Sequence, residues 1–573
     1  MTASLQRAAA ALLFVLCLGV FVGGCASTSP TAPSDTTPPA PAPRLEVPIP
    51  EPDTFAITPE RPPHAWFHMD AEADGYPGLS TYRAHTTLLA DRGPERTVTV
   101  AIIDSGVDTE HDELAPQIWR NEGEVADTGA DDDGNGYVDD LHGWNFLGNA
   151  DGENVDADTY EVTRLYRTYS DWVSSTDTTD LSAAGRDSLD YYYRIQADFY
   201  SDRDEAQQRL QNVRQAHETV QQVLRYVRNY LDVEEVTPAD VARLEDADDP
   251  GAQQSFEILT FFYDQGLTPN DIKDFYDRIT TQVEYGYNPD FDPRPIVGDD
   301  YNDLSERYYG NSDVHGPDPG HGTHVAGIVG AARDTTLRID GVAPAVRLMP
   351  IRAVPDGDEH DKDVANAIRY AADNGADIIN MSFGKGYSPQ KHAVDAAVRY
   401  ADSLGVLMVH AAGNSASDND EGDNFPTPFY EDGDRATHWI EVGASGWTMD
   451  EELVASFSNY GATTVDVFAP GADIYSATTG NAYRFNSGTS MAAPMVSGVA
   501  ALLMSYYPSL SAEDVRAIIL ESAVSYADHE VTLPNDNPDM PGTQVQFGSL
   551  SVTGGIVNAY RAVQMASERV DQP

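Results

Sequence analysis

Between residues 346 and 412 the chain switches repeatedly from strand-like to helix-like stretches, and no other feature of its 573 residues restricts the fold as much. The runs 346–353, 376–382 and 405–412 are short and predominantly apolar, while 362–374 and 390–403 between them read as helices. Strands joined through helices run parallel, and strands apolar on both sides must be covered on both faces. The stretch therefore predicts a βαβαβ run and a parallel sheet lying between two helical layers. Residues 97–104 (TVTVAIID) read as a further strand, ending in the carboxylate of Asp104 and a Ser-Gly turn. In open sheets of this kind, reactive groups gather outside the carboxyl ends of the strands.

A serine at 490 follows a small, permissive approach (Ser487-Gly488-Thr489) and opens an Ala-rich apolar run, 491–504, that predicts a buried helix. At a helix N-terminus the unpaired N–H groups and the dipole favour negative charge, including that on the oxygen of an attacked carbonyl. A serine so placed is more often a helix cap. It becomes a nucleophile only beside a base that a third group orients. His321-Gly322-Thr323-His324-Val325-Ala326-Gly327 sets a histidine ahead of a second small, apolar helix.

The four segments IIDSGVD, HGTHVAGI, AAGN and SGTSMAAP, in that order, resemble those of the subtilisin-like serine peptidases (subtilases). The resemblance covers roughly 95–150 and 290–565. It implies an α/β, three-layer fold with a parallel central sheet, and a triad of Asp104, His321 and Ser490. Asn414 is the implied side-chain donor to the oxyanion. Ser382, Phe383 and Gly384 correspond to an edge strand that pairs with substrate backbone, and Ala411, Ala412 and Gly413 to a wall of the primary specificity pocket. The implied activity is serine endopeptidase, with polypeptides as substrates. A transpeptidase or processing variant, and a catalytically silent envelope-binding protein on the same fold, remain as alternatives.

Charge narrows the partners. With 93 acidic and 35 basic residues the formal net charge is −58, which opposes binding to nucleic acid or to an anionic membrane surface. Only Lys273, Lys362, Lys385 and Lys391 are lysines. Such a surface suits concentrated salt, which screens its self-repulsion, although an ordinary acidic exported protein fits as well. Residues 1–24 read as an export signal, Arg7 preceding an apolar run too short for a comfortable transmembrane span. Val22-Gly23-Gly24-Cys25 resembles a bacterial lipobox, making Cys25 a lipidation site and the membrane a partner through that anchor alone. Cys17 and Cys25 are the only cysteines, so the mature body has no disulfide. Residues 25–63, rich in Pro, Ser and Thr, then form an extended tether to a protein of the cell envelope.

The peptidase-like pattern occupies 64–154 and 293–567, and 155–292 departs from it. Leu210, Val213, His217, Val220, Leu224, Val227 and Leu231 follow helical spacing, with His217 expected to be packed. Thr237-Pro238 and Thr268-Pro269 each read as an N-cap followed by proline, so the insertion is a helical subdomain. Its ends must lie near the cleft, because Asp104 and His321 have to meet across it. Asp131, Asp133, Asn135, Tyr137 (by its carbonyl) and Asp139 fall at positions 1, 3, 5, 7 and 9 of an EF-hand-like loop with Gly136 at the turn. Position 12 is His142, so Asp140 would complete a structural calcium site; a solvated acidic turn is the other reading.

Overall fold

The structure, a computed structural model, describes residues 61–570 except 127, 265–266, 334–337 and 536–541. The expected signal segment, Cys25 and nearly all of the tether lie outside the described residues.

Strands β1 (Val98–Asp104), β2 (Trp144–Asn145), β3 (Val346–Arg352), β4 (Ile378–Met381), β5 (Leu407–Ala411), β6 (Trp439–Ser445), β7 (Val467–Pro470), β8 (Val524–Ser525) and β9 (Gly555–Ile556) form one sheet. Its order is β8-β9-β7-β6-β5-β4-β1-β3-β2, and every neighbouring pair is parallel except β8 with β9. The labelled helices are α1 (Glu161–Ser175), α2 (Ala183–Leu231), α3 (Gly320–Gly330), α4 (Asp361–Asp373), α5 (Lys391–Ser403), α6 (Thr489–Tyr506), α7 (Ala512–Ser522) and α8 (Ala559–Val570). On β1, Val98, Val100 and Ile102 enter a core shared with α3, α6, α7 and α8. Ala101 and Ile103 enter a second core with α4 and α5 on the opposite face. This two-sided burial is why the strands read as apolar runs, each large aliphatic side chain contributing about 1.5–3 kcal/mol. The fold is the three-layer α/β arrangement that the alternation predicts.

Helix α6 runs through the middle of the molecule, and every residue of it except Ser490 is buried. By length and composition it could cross a membrane, but its burial makes it the core helix of this fold. Pro494 sits inside it and has no N–H to give the carbonyl four residues earlier, that of Ser490. Ser382 supplies the missing donor, its Oγ–H reaching the Ser490 carbonyl at 2.9 Å. Ser382 Oγ in turn accepts from Asn380 Nδ2, whose side-chain oxygen accepts from Ser497 of the same helix. The proline thus ties the first turn of α6 to the strand beside it.

The chain divides into two compact units, 62–206 with 281–573, and 207–280. The helical insertion is therefore not one piece with ends at 155 and 292. In the first unit α1 packs on the early turns of α2, where Val162, Leu165, Ile195 and Phe199 gather Tyr160, Tyr166 and Tyr387 around them. In the second, the expected apolar stripe lies on the later turns of α2, and His217 stacks on Tyr276 at 4.7 Å between ring centroids. Thr237 there caps its helix with Asp240 in a reciprocal pair.

Candidate active site

Strand β1 delivers Asp104 at its carboxyl end, and α3 delivers His321 in its first turn. Asp104 Oδ1 accepts from the Ser105 N–H at 2.8 Å and lies 2.7 Å from His321 Nδ1. The approach depends on Gly322: a Cβ there would stand 2.1 Å from the Gly106 carbonyl oxygen and 3.0 Å from Asp104 Cβ. A carboxylate on Nδ1 fixes the proton on that nitrogen and leaves Nε2 as the basic atom. Desolvation lowers the His321 pKa, and the charge and hydrogen bond of Asp104 more than offset it, so the imidazole titrates above its ordinary value.

Ser490 is the second residue of α6, and its Oγ donates to the Ser382 carbonyl at 3.0 Å. A hydrogen bond between Ser490 and His321 is not among the contacts of the described residues. Asn414 follows the end of β5, and its Oδ1 accepts from the Thr489 N–H at 2.8 Å and from Thr489 Oγ1 at 3.1 Å. That engagement orients the amide group. A Cβ placed on Gly488 would lie 3.6 Å from the Ser490 nitrogen and 3.7 Å from Asn414 Nδ2. The Ser490 N–H and the Asn414 side-chain amide therefore lie on the same side of Gly488.

Phe383, Gly384, Ala411, Gly413, Asn414 and Ser490 share a cavity of about 370 Å³. Ser382 stands behind it as the clasp on α6. Ala412, expected on the same wall, turns the other way into a core with Phe468 and Phe547, because successive residues leaving β5 face opposite sides.

Glu359 also lines the cavity, and nothing in its sequence context singles it out among 93 acidic residues. Behind it lies a buried charged wall. Lys385 Nζ, on a side chain 2% exposed, is 3.0 Å from Glu161 Oε2, 2.9 Å from Asp361 Oδ1 and 2.7 Å from the Glu359 carbonyl. Arg164 Nη2 donates to Glu161 at 2.7 Å and to the Glu359 carbonyl at 3.2 Å. His360 Nε2 lies 2.9 Å from Asp158 Oδ2, with burial and the Arg164 charge holding its pKa below the ordinary value. Glu161 and Arg164 both belong to α1, so the departing end of the insertion forms the back of the cleft wall.

The acidic loop is arranged differently from an EF-hand. Asp131 accepts from the N–H groups of Gly134, Asn135 and Gly136, and Asn135 Oδ1 from that of Tyr137. Asp139 turns its carboxylate onto the N–H groups of Thr128 and Gly129. Asp133 and Asp140 instead come together with Glu124, which the sequence reading missed, their ligand atoms all within 4.8 Å of one another. Glu124 Oε2 is buried without a partner, and burial pushes the Asp140 carboxyl up to about 6.

The profile of the Subtilase family (Peptidase_S8) matches residues 95–549. The chain is 43% identical over 229 residues to the thermophilic serine proteinase of Bacillus sp. (strain AK1), covering 40% of this chain and 51% of that one. It is 41% identical over 213 residues to subtilisin DY of Bacillus licheniformis, covering 36% and 72%. Over 246 residues it is 35% identical to thermitase of Thermoactinomyces vulgaris, covering 43% and 75%. It thus spans about half the length of the first relative and more of the other two. A profile match across most of the chain, on a parallel sheet whose strand and helix ends present Asp104, His321, Asn414 and Ser490, places this protein in the subtilase family.

Proposed function

We propose that the protein is a serine endopeptidase that cleaves polypeptides through an acyl-enzyme. The reading is carried by the Asp104–His321 contact at 2.7 Å, and Ser490 and Asn414 line one cavity. Ser490 Oγ first turns from the Ser382 carbonyl toward His321, since catalytic hydrogen bonds are often made only with substrate present. It attacks the scissile carbonyl while His321 Nε2 takes its proton, and Asp104 stabilises the imidazolium through Nδ1–H. The Ser490 N–H and Asn414 Nδ2 donate to the tetrahedral oxyanion. Its collapse releases the amine, which leaves with the proton from His321, and water then removes the acyl group by the same route. A fluorophosphonate probe should label Ser490, and Ser490→Ala should lose both label and peptide hydrolysis while still folding. Absence of label on the folded wild-type protein would favour the silent envelope-binding reading, and joined rather than hydrolysed peptides the transpeptidase.

The exported, lipid-anchored reading rests on residues 1–25 alone. Acylation of Cys25, seen by mass spectrometry of the N-terminal peptide, tests it, and an unmodified, uncleaved N-terminus overturns it. The charge of −58 argues against polyanions as partners. The same charge supports adaptation to concentrated salt, which requires the melting temperature to rise between low and molar KCl. Calcium suits Glu124, Asp133 and Asp140: three carboxylates, one with a buried unpaired oxygen, form an all-oxygen donor set for a hard cation. Its role there is structural, holding the loop after β1.

A further inference from the structure

Glu359 is buried to 2% exposure, yet its Oε1 has no hydrogen-bond partner. No donor of the wall's cations is bonded to it. Lys385 donates to Glu161 and to the Glu359 carbonyl and forms an ion pair with Asp361 at 2.9 Å. Arg164 spends its four terminal N–H groups on the carbonyls of Thr159, Asp358 and Glu359 and on Glu161, and its Nε–H, itself buried without a partner, does not meet the Glu359 carboxylate. Five carboxylates (Asp158, Glu161, Asp358, Glu359 and Asp361) thus face Arg164 and Lys385, while His360 is held toward its neutral form. Burial pushes the Glu359 carboxyl up to about 7, Lys385 opposing and Asp358 adding to the rise. A buried acceptor without a donor is costly, and the residue that carries this one lines the same cavity as Ser490.

We propose that Glu359 selects substrates whose lysine or arginine side chain enters this cavity, the incoming cation supplying the missing donor and the missing positive charge. The inference rests on the endopeptidase reading, and makes this chain selective where an apolar cavity would accept side chains by size. Acidic side chains are excluded by the same carboxylate excess.

The test uses the full chain and matched fluorogenic peptides that carry arginine, lysine, norleucine or glutamate at one position, moved stepwise across the four residues before the scissile bond. The readout is the ratio of kcat/KM for arginine over norleucine within each protein, which cancels any general loss of turnover and the titration of His321. At one position the ratio should reach roughly 10- to 100-fold at pH 8, as a charge-assisted hydrogen bond provides. It should fall to near unity in Glu359→Gln. In the wild type it should also climb between pH 6 and pH 8 as Glu359 loses its proton, a readout that needs no variant. Norleucine peptides cleaved as well as arginine peptides at every position, a ratio that survives Glu359→Gln, or a ratio flat with pH overturns the inference and leaves the peptidase reading standing. No cleavage of any peptide, with no labelling of Ser490, overturns both.

Discussion

Replacing Lys385 by methionine removes one positive charge from a place where nothing can substitute for it. The side chain keeps its length and apolar stem, so the change is largely electrostatic. Glu161 retains Arg164 at 2.7 Å, and Asp361 retains Ser388 Oγ at 2.9 Å and the Gln390 N–H at 2.7 Å. The Glu359 carbonyl keeps Arg164 at 3.2 Å. Removing one partner of a buried ion pair costs about 3–5 kcal/mol, and the donors that remain place Lys385→Met near about 3 kcal/mol. Without the cation the folded-state pKa values of Glu161 and Glu359 rise, so the folded variant binds extra protons. Stability of the variant then falls as pH rises through that window, and its deficit must be larger at pH 8 than at pH 5. Urea unfolding followed by tryptophan fluorescence measures this in the peptidase unit alone, because all six tryptophans lie outside 207–280. Lys385→Met with Glu161→Gln should recover part of the loss, the two residues being in contact. A cost below about 1 kcal/mol at pH 8, or one that grows on acidification, would refute the reasoning.

Asn414→Ala should lower kcat on the order of 100- to 1,000-fold with KM little changed, and near-normal turnover would remove Asn414 from the mechanism. The wild-type kcat/KM should rise with pH through a value above the ordinary histidine pKa of 6.5, because His321 must be neutral to act as base. Asp104→Asn should move that onset to lower pH and cut kcat on the order of 10,000-fold; an onset that stays in place would dissociate Asp104 from the His321 titration. Chelation should lower the wild-type melting temperature, a cation held at about 100 times its Kd contributing about 2.7 kcal/mol. Glu124→Gln should abolish that sensitivity and Asp139→Asn should preserve it. The opposite pattern would restore the EF-hand-like arrangement.

The parallel sheet was legible because both its faces are buried: strands such as β4 and β5 have little polar sequence to disguise them. Helix starts were legible where side chains answer the backbone locally, as Ser511 does with Asp514 and Thr237 with Asp240. Pairings across long separations were not. Glu161 and Lys385 are 224 positions apart, and each is one charged residue in an acidic chain until the fold joins them. For the same reason 155–292 read as a single insertion: α1 carries helical periodicity like the rest, and only its contacts show that it belongs to the peptidase unit. At the acidic loop the Asp and Gly spacing matched a known ligand pattern. Those side chains satisfy the loop's own N–H groups instead, and Glu124, before the pattern begins, joins Asp133 and Asp140.

The scarcity of lysine acquires a physical reason from where the lysines stand. Lys362 is 1% exposed and spends its ammonium on Asp299 at 2.6 Å, Glu306 at 2.8 Å and the Asp300 carbonyl at 2.7 Å. Lys385 does the same on the other side of the N-terminus of α4, where Asp361 and Asp363 favour the helix dipole. Lys391 joins Asp395 to the Phe429 carbonyl, and Lys273, paired with Asp277, is the most exposed of the four. Two of the four lysines are thus internal fasteners, each holding carboxylates that would otherwise be buried and unpaired. Charges in this molecule fall into two populations with different responses to salt. Exterior carboxylates repel one another through solvent, and ions relieve that repulsion. The interior carboxylates Glu161, Asp299, Asp361 and Asp363 are beyond screening and have a cation in contact, supplied by Arg164, Arg294, Lys362 or Lys385. Glu359 belongs to the second population but borders the cleft, so the cation it lacks is one that can arrive with substrate.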